Sequence, residues 1–459
     1  MKNLMDEIQK CEIVDDGEVT LAGHFIRIMQ QAYEDVCSSQ GVIWTYERGC
    51  WTRQDAEDVM ALIQGFDGLA FFRMNGAPGR VKLSNSKVNG IYQSLLIHRQ
   101  LLRSGYFDEV AAGVCFANGF VSIKDDRIVM EKHSPDHKAT MRIEQDAPTN
   151  VVVPRSFIAF LQDLFRDDED QGVKIELIRE FCGAALSNIA VRFSRVLLLT
   201  GGGANGKSTL ARIIEGLFPP EHVAATSPAR WNSEYQLALL AGCRINICTE
   251  LPTADNDVSD LFKAVVAGDQ IICRMPYQAP QKLRPKAAHI FSSNYLPNSK
   301  DFSEGYFRRF LIVPLNRNFQ KEGVVRTMDS IVADMEKEHA AIIMWALQGA
   351  VNLIKRGHYI MPASGIEAEQ EWRVEADAVL DFVVSCCTRR DDRKDFEYLS
   401  TIYDDFKDWC LRMSRKPMGP RKFASRLVSL DVPKEKIGGQ SKVGLSSKPR
   451  INWSDWGLN

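Results

Sequence analysis

The sequence predicts an α/β fold built on a parallel sheet, and three stretches predict it. Residues 196–210 read Val-Leu-Leu-Leu-Thr-Gly-Gly-Gly-Ala-Asn-Gly-Lys-Ser-Thr-Leu: a short apolar strand, a glycine loop and the start of a helix. Two further apolar runs, Ile245 to Glu250 and Ala288 to Asn294, each end in a polar residue. Short continuous apolar runs suit strands buried on both faces, as in a parallel sheet covered by helices.

The glycine loop carries the chemistry. Gly201 opens the pattern G-x-x-x-x-G-K-S, and Leu210, Ile213 and Ile214 then fall at helical spacing. Strand, loop and helix in that order are the context of a phosphate-binding P-loop. Glycines let the backbone curl until its N–H groups point inward, and the helix sets its positive end beneath the phosphates. On this reading Gly201, Gly202, Gly203, Ala204, Asn205, Gly206, Lys207, Ser208 and Thr209 cradle ATP. Lys207 reaches the β- and γ-phosphates, and the Ser208 hydroxyl holds Mg²⁺.

The totals set the frame. A chain of 459 residues exceeds one ordinary core and predicts about three domains. With 45% hydrophobic and 25% charged residues and a net charge of −2, the composition is globular, so any nucleic-acid surface is local. No apolar run approaches the roughly 20 residues of a membrane-spanning helix, and the N-terminus lacks the apolar stretch of a signal peptide. Eleven cysteines without a C-x-x-C pair read as reduced thiols of a cytoplasmic protein and not as a zinc site.

Residues 1–150 read as an α+β domain. Phe25 to Val36 has helical spacing. Ile43–Tyr46 and Cys50-Trp51 read as strands around the turn Glu47-Arg48-Gly49, and Val114 to Ile123 as a pair turning at Asn118-Gly119. Trp44, Tyr46 and Trp51 fit two roles: platforms for bases, or packing residues of a core. Residues 151–195 form a helical collar, with apolar residues from Phe157 to Phe165, an acidic break at Asp167–Asp170, and a second helix from Ile175.

Residues 196–365 form the ATPase unit with its closing helices. Glu250 polarises the attacking water or helps hold Mg²⁺, and Asn294 hydrogen-bonds the γ-phosphate or that water. Both stand at carboxyl ends of strands, where ligands of open α/β sheets bind. Between them a helix leads into a hairpin bearing Arg274, Tyr277, Lys282, Arg284 and Lys286. It reads either as a grip on a phosphate backbone or as a solvated surface. Arg308-Arg309 reads either as an arginine finger aimed at a neighbouring subunit or as a salt-bridged surface pair.

Residues 366–459 read as helices followed by a β-rich end from Val443 to Trp453, the order of a winged helix–turn–helix. From Arg412 to Arg450 there are eleven Lys/Arg against two acids. A helix with Arg421, Lys422 and Arg426 suits a DNA groove, although many winged helices bind proteins.

Gly201–Thr209, Glu250-Leu251-Pro252, Lys263 with Gly268-Asp269 and Arg274, Asn294–Pro297, and Asp301 with Arg308-Arg309-Phe310 together resemble a superfamily 3 helicase. The resemblance is to the phage, plasmid and poxvirus primase-helicase family and extends to Val114–Ile123 and His133–Pro135. It implies an AAA+-like ATPase that assembles as a homo-hexameric ring and translocates on single-stranded DNA. Lys207, Ser208, Glu250 and Asn294 inherit the ATP and Mg²⁺ roles, Arg308 or Arg309 the finger, and the hairpin DNA contact. Forked DNA is the implied substrate, with origin duplex and replication proteins as further partners. The chain departs from the family in Thr249, where a second acid is common, and in Tyr277-Gln278, where a lysine is common. A primase domain has no room before residue 1, so no primer synthesis is expected. The rival readings are a primer-synthesising primase-helicase and an ATP-controlled origin-binding protein that does not unwind.

Overall fold

The computed structural model describes residues 2–72, 77–150, 152–251, 259–275, 280–297, 301, 303–323 and 327–447. Its centre is a five-stranded sheet: β1 (Val196–Thr200), β2 (Val223–Ala224), β3 (Ile245–Cys248), β4 (Ala288–Ser293) and β5 (Phe310–Pro314). The spatial order is β2-β3-β4-β1-β5, and every pairing is parallel. Thr200 lies level with Ser293 and Pro314, which brings the carboxyl ends of β1, β4 and β5 to one edge.

Period two explains the layering. Leu197, Leu199, Ile245, Ile247, Ile290, Leu311 and Val313 face one side and pack on helices. These helices are α1 (Arg155–Leu164), α2 (Gln171–Leu186), α3 (Lys207–Glu215) and a later helix, His339–Arg356. Val196, Leu198, Phe291, Phe310 and Ile312 face the other side, against Trp231, Phe262 and Trp372. A parallel sheet covered on both faces results. Phe262 belongs to α4 (Ser259–Ala267); the helix His339–Arg356 is α5, and Trp372 lies on α6 (Ala363–Ala376).

The N-terminal region has two antiparallel three-stranded sheets. One holds Asp35–Ser39, Val42–Glu47 and Cys50–Gln54; the other holds Gly113–Phe116, Gly119–Lys124 and Arg127–Glu131. The expected helix runs over Glu18–Ala32 and stops before Val36, which is in a strand. Trp51 and Tyr46 are buried in an aromatic cluster with Phe107, and Trp44 is half-buried against the same ring. Trp51 Nε1 donates to Pro135 O (3.0 Å). Packing is therefore their part in this fold, and Tyr46 and Trp51 offer no open face to a base. The second sheet contributes Val114, Phe116 and Val121 to the same apolar cluster as α1 and α2, so packing runs on across residue 150.

Two basic side chains from the amino ends of β3 and β4 plug into this region. Arg244 Nη2 donates to Thr140 Oγ1 (3.0 Å), and Lys286 Nζ donates to Phe107 O (2.7 Å). Burial pushes the Lys286 ammonium down to about 8. Lys286, grouped above with the basic hairpin, instead ties the base of that hairpin to the N-terminal region.

The C-terminal residues have their own core. α7 (Ala378–Cys386), α8 (Leu399–Arg412) and α9 (Pro420–Ser429) pack through Phe382, Phe406, Trp409 and Phe423. Gln440–Val443 pairs with Lys434–Ile437 and with Glu397–Tyr398, and Leu445–Ser447 pairs with Cys387–Arg389. The expected strand segment past Ser447, including Trp453, lies outside the described residues.

Candidate functional site

The glycine loop spans residues 201–206, between β1 and α3. Two of its glycines are required by geometry. Gly201 has φ +136°, and a Cβ there would stand 2.3 Å from Leu315 O. Gly206 has φ +87°, and a Cβ there would meet Leu164 Cδ1 at 2.7 Å. Gly202 and Gly203 face open space, which leaves the backbone approachable. The amino end of α3, with its unsatisfied N–H groups, opens toward the same side.

Lys207 begins α3 and is buried, its Nζ held by the loop itself. It donates to Gly201 O (2.6 Å), Gly202 O (2.9 Å) and Asn205 Oδ1 (3.1 Å). A fourth acceptor is Asn294 Oδ1 (3.1 Å), just beyond β4. Burial pulls the Lys207 ammonium below its ordinary value. Asn205 Nδ2 in turn donates to Leu315 O (3.1 Å), which fixes the loop to the end of β5. The structure thus unites two predicted site residues, Lys207 and Asn294, that stand 87 positions apart.

Glu250 lies beyond the end of β3, next to β4. Cys248 is level with Phe291, Ser292 Oγ donates to Thr249 O (2.6 Å), and Leu251 N donates to Ser292 O (3.1 Å). The Glu250 side chain is exposed and carries no ion pair among the described residues. Ser208 is exposed on the first turn of α3, and Thr209 is half-buried behind it.

Arg308 and Arg309 sit at the opposite edge. Phe310 is level with Val196, so both arginines precede β5 at the amino ends of the strands. Five residues of β1, about 15 Å, separate them from the glycine loop of the same chain. Arg308 is exposed; Arg309 is half-buried, with Nη1 bonded to Gly305 O and Nε buried without a hydrogen-bond partner. Sequence reading missed a third cation here. Chiefly burial, against the pull of Glu369, lowers the Arg195 guanidinium, and Arg308 and Arg309 add to the lowering. Its signal was available: a cation directly before the buried strand that pairs with β5.

Trp372 was also missed. It packs on Phe307 and Phe310 (ring centroids 4.9 Å from each) and donates Nε1–H to Pro297 O (2.8 Å). One side chain therefore braces both the turn after Asn294 and the helix before Arg308.

The predicted DNA-contact residues divide. Lys282 and Arg284 are exposed on the hairpin, whereas Arg274 pairs with Glu234 (3.3 Å). Tyr277 lies outside the described residues. On α9, Arg421 and Lys422 are exposed, but Arg426 pairs with buried Asp377 (2.6 Å), the N-cap of α7. Arg426 thus serves the packing of α9 on α7. Among the described residues no group of three or more His, Cys, Asp or Glu could hold a metal ion, and no helix is long and apolar enough to cross a membrane.

Residues 199–309, from the end of β1 to Arg309, match a family model described as a family of unknown function (DUF5906). Over 232 residues the chain is 24% identical to "Putative helicase L207/L206" of Acanthamoeba polyphaga mimivirus. That match covers 46% of this chain and only 24% of the viral protein, so the chain spans about a quarter of that relative. Among solved structures the chain is similar to the apo NrS-1 C-terminal region (305–718). The TM-score is 0.50 at 12% identity, with 94% of this chain and all of that one covered. A second form of that region gives a TM-score of 0.49 at 10% identity, covering 95% of this chain and all of that one. The likeness to the first is one of fold: a mixed α/β chain on a parallel five-stranded sheet.

Proposed function

We propose that the chain is an ATP-driven DNA helicase of the superfamily 3 kind, a replicative motor of a phage, plasmid or integrated element. The observation that carries this reading is the meeting of Lys207 and Asn294 over a glycine loop at the carboxyl edge of the sheet, with Glu250 just beyond the end of the neighbouring strand. The similarity to a viral protein named as a helicase agrees with it.

The residues present suit a triphosphate. A loop that excludes Cβ atoms at Gly201 and Gly206 but is open at Gly202 and Gly203 leaves N–H groups for phosphate oxygens. The Lys207 ammonium exchanges loop carbonyls for β- and γ-phosphate oxygens without moving its helix. Ser208 and Glu250 are the residues to hold Mg²⁺, which neutralises charge on those phosphates when bound. Glu250 orients the attacking water and accepts its proton, while Asn294 holds the water or the γ-phosphate. Arg308 or Arg309 reaches the γ-phosphate of a second copy, because its own loop lies a strand's length away. Lys282 and Arg284 contact single-stranded DNA in the channel of a homo-hexameric ring. The C-terminal helices, read as a winged helix, place Arg421 and Lys422 on duplex DNA.

The test is ATP hydrolysis with and without single-stranded DNA, paired with unwinding of a forked duplex. Stimulated hydrolysis with strand separation, lost in Lys207→Ala, is expected. A second reading, ATP-controlled DNA binding without unwinding, is favoured by one observation: Thr249 supplies no second acid beside Glu250. ATP binding without turnover in the wild-type chain would select it.

A further inference from the structure

A cavity of about 370 Å³ opens beside the glycine loop, between the acidic turn after α1 and the segment after β5. Its walls are tied to that loop. Asn318 Nδ2 donates to Gly203 O (3.4 Å), and Phe319 N–H donates to Ala204 O (2.9 Å). The volume falls in the roughly 300–1,000 Å³ range of small-ligand pockets.

Several wall groups are already engaged. Arg317 pairs with Glu322 and with Asp163 (2.9 Å), and its guanidinium covers the Phe319 ring (4.4 Å). Asp168 accepts from buried Lys174 Nζ (2.8 Å) and from Asn316 Nδ2 (2.9 Å). That second bond orients the Asn316 amide and leaves its Oδ1 as an acceptor. Asp167 is mostly exposed (69%), and its nearest cation is Arg166 Nε at 3.7 Å. Lys321 adds one exposed ammonium to the lining, so among the described residues the cavity offers oxygen acceptors beside a single unpaired cation, and no aromatic side chain lines it.

Such a lining suits hydroxyl donors better than a purine face. A ribose presents two adjacent hydroxyls, and one carboxylate can accept from both. We propose that this cavity takes the ribose of the nucleotide, that Asp167 accepts from its 2′- and 3′-hydroxyls, and that the chain prefers ribonucleotides while discriminating weakly among bases. The inference rests on the reading of the glycine loop as the triphosphate site.

The experiment is equilibrium binding of ATP, dATP and GTP, each with Mg²⁺, to the full chain and to two variants. A hydrogen bond to a charged acceptor is at stake, so wild type is expected to bind ATP about tenfold more tightly than dATP. GTP is expected within a few-fold of ATP. Asp167→Ala, at an exposed position, is expected to bind ATP and dATP equally, with ATP weakened more than dATP because dATP has only its 3′-hydroxyl to lose as a donor to this carboxylate. Lys207→Ala is expected to weaken all three. Equal binding of ATP and dATP by wild type, or an undiminished preference in Asp167→Ala, overturns the ribose assignment. A strong preference for ATP over GTP overturns the weak base discrimination. Unchanged binding in Lys207→Ala overturns the triphosphate reading alone, and no nucleotide binding by wild type overturns both.

Discussion

At the residue scale, the proposed nucleotide site would separate binding from turnover. Lys207 is shared between the loop carbonyls and Asn294, whereas Glu250 stands exposed at the end of β3. Lys207→Ala is expected to lower both ATP affinity and turnover, the latter by about 10²-fold or more. Glu250→Gln keeps size and polarity but not the basic oxygen, so it is expected to bind ATP and lose about 10²–10⁴ in turnover. Nucleotide binding and phosphate release, measured on both variants, check this. A second residue-scale prediction concerns His289, inside the sheet beside Trp231. Burial pushes its imidazole down to about 3, and Asn246 Nδ2 lies 3.3 Å from Nδ1. The unfolded chain takes up this proton near pH 6.5. The folded chain does not until about pH 3, so the unfolded state binds more protons between those values. Stability tied to neutral His289 is therefore complete above about pH 6.5 and is lost as pH falls toward 3. Urea midpoints at pH 7 and pH 5 are expected to fall less in His289→Phe than in wild type. Such a residue was legible in the sequence only as one polar letter in an apolar run. Its consequence depends on the layer of aromatic rings above it.

At the element scale, what could be read depended on whether the signal was local. The three central strands were legible because each is a short apolar run closed by a polar residue. Asp35–Ser39 was not, because Asp-Val-Cys-Ser-Ser has no alternation and its burial comes from neighbours distant in sequence. α6 escaped for a related reason: Trp372 is its one large, fully buried side chain, so no periodic stripe marks it. The role of Arg426 was equally hidden, since Asp377 is 49 positions away. That pairing divides the basic helix α9 into two kinds of residue. Arg421→Glu with Lys422→Glu is expected to weaken duplex binding and flatten its salt dependence, with the melting temperature nearly unchanged. Arg426→Ala is expected to lower stability by about 3–5 kcal/mol, because it strands the buried Asp377 carboxylate. Binding isotherms at two salt concentrations and thermal melts distinguish them. The contact of α2 with α5 supplies another prediction. A Cβ on Gly183 would stand 2.0 Å from the backbone oxygen of Ala346, so the helices must part to admit it. Gly183→Ala is expected to cost about 1–3 kcal/mol in chemical denaturation, despite the better helix propensity of alanine.

At the scale of the whole molecule, the sheet separates its charges by edge. The glycine loop, Asn294 and Glu250 occupy the carboxyl edge, while Arg195, Arg308 and Arg309 gather at the amino edge. The three guanidiniums repel, partly offset by Glu369 at Arg195 and by Asp269 and Asp301 at Arg309, and Arg309 leaves a buried Nε without a hydrogen bond. An anionic group presented by another molecule would relieve both costs, and the γ-phosphate at the loop of a second copy is such a group. Arg308→Ala and Arg309→Ala are therefore expected to lose turnover, by up to about 10³–10⁵ at the position that acts as the finger. The deciding measurement is a mixture. Lys207→Ala subunits carry intact arginines but a disabled loop; the arginine variant carries the reverse. Combined in equal amounts and assembled at random in a cyclic ring, about a quarter of interfaces would pair a good loop with a good arginine. Turnover is then expected to rise to about a quarter of the wild-type value, although each variant alone is inactive. No recovery in the mixture, with co-assembly shown by tagged pull-down, would place the arginines outside the shared site. Their role would then lie within the single chain, where Arg309 already holds Gly305 of the short helix that precedes β5.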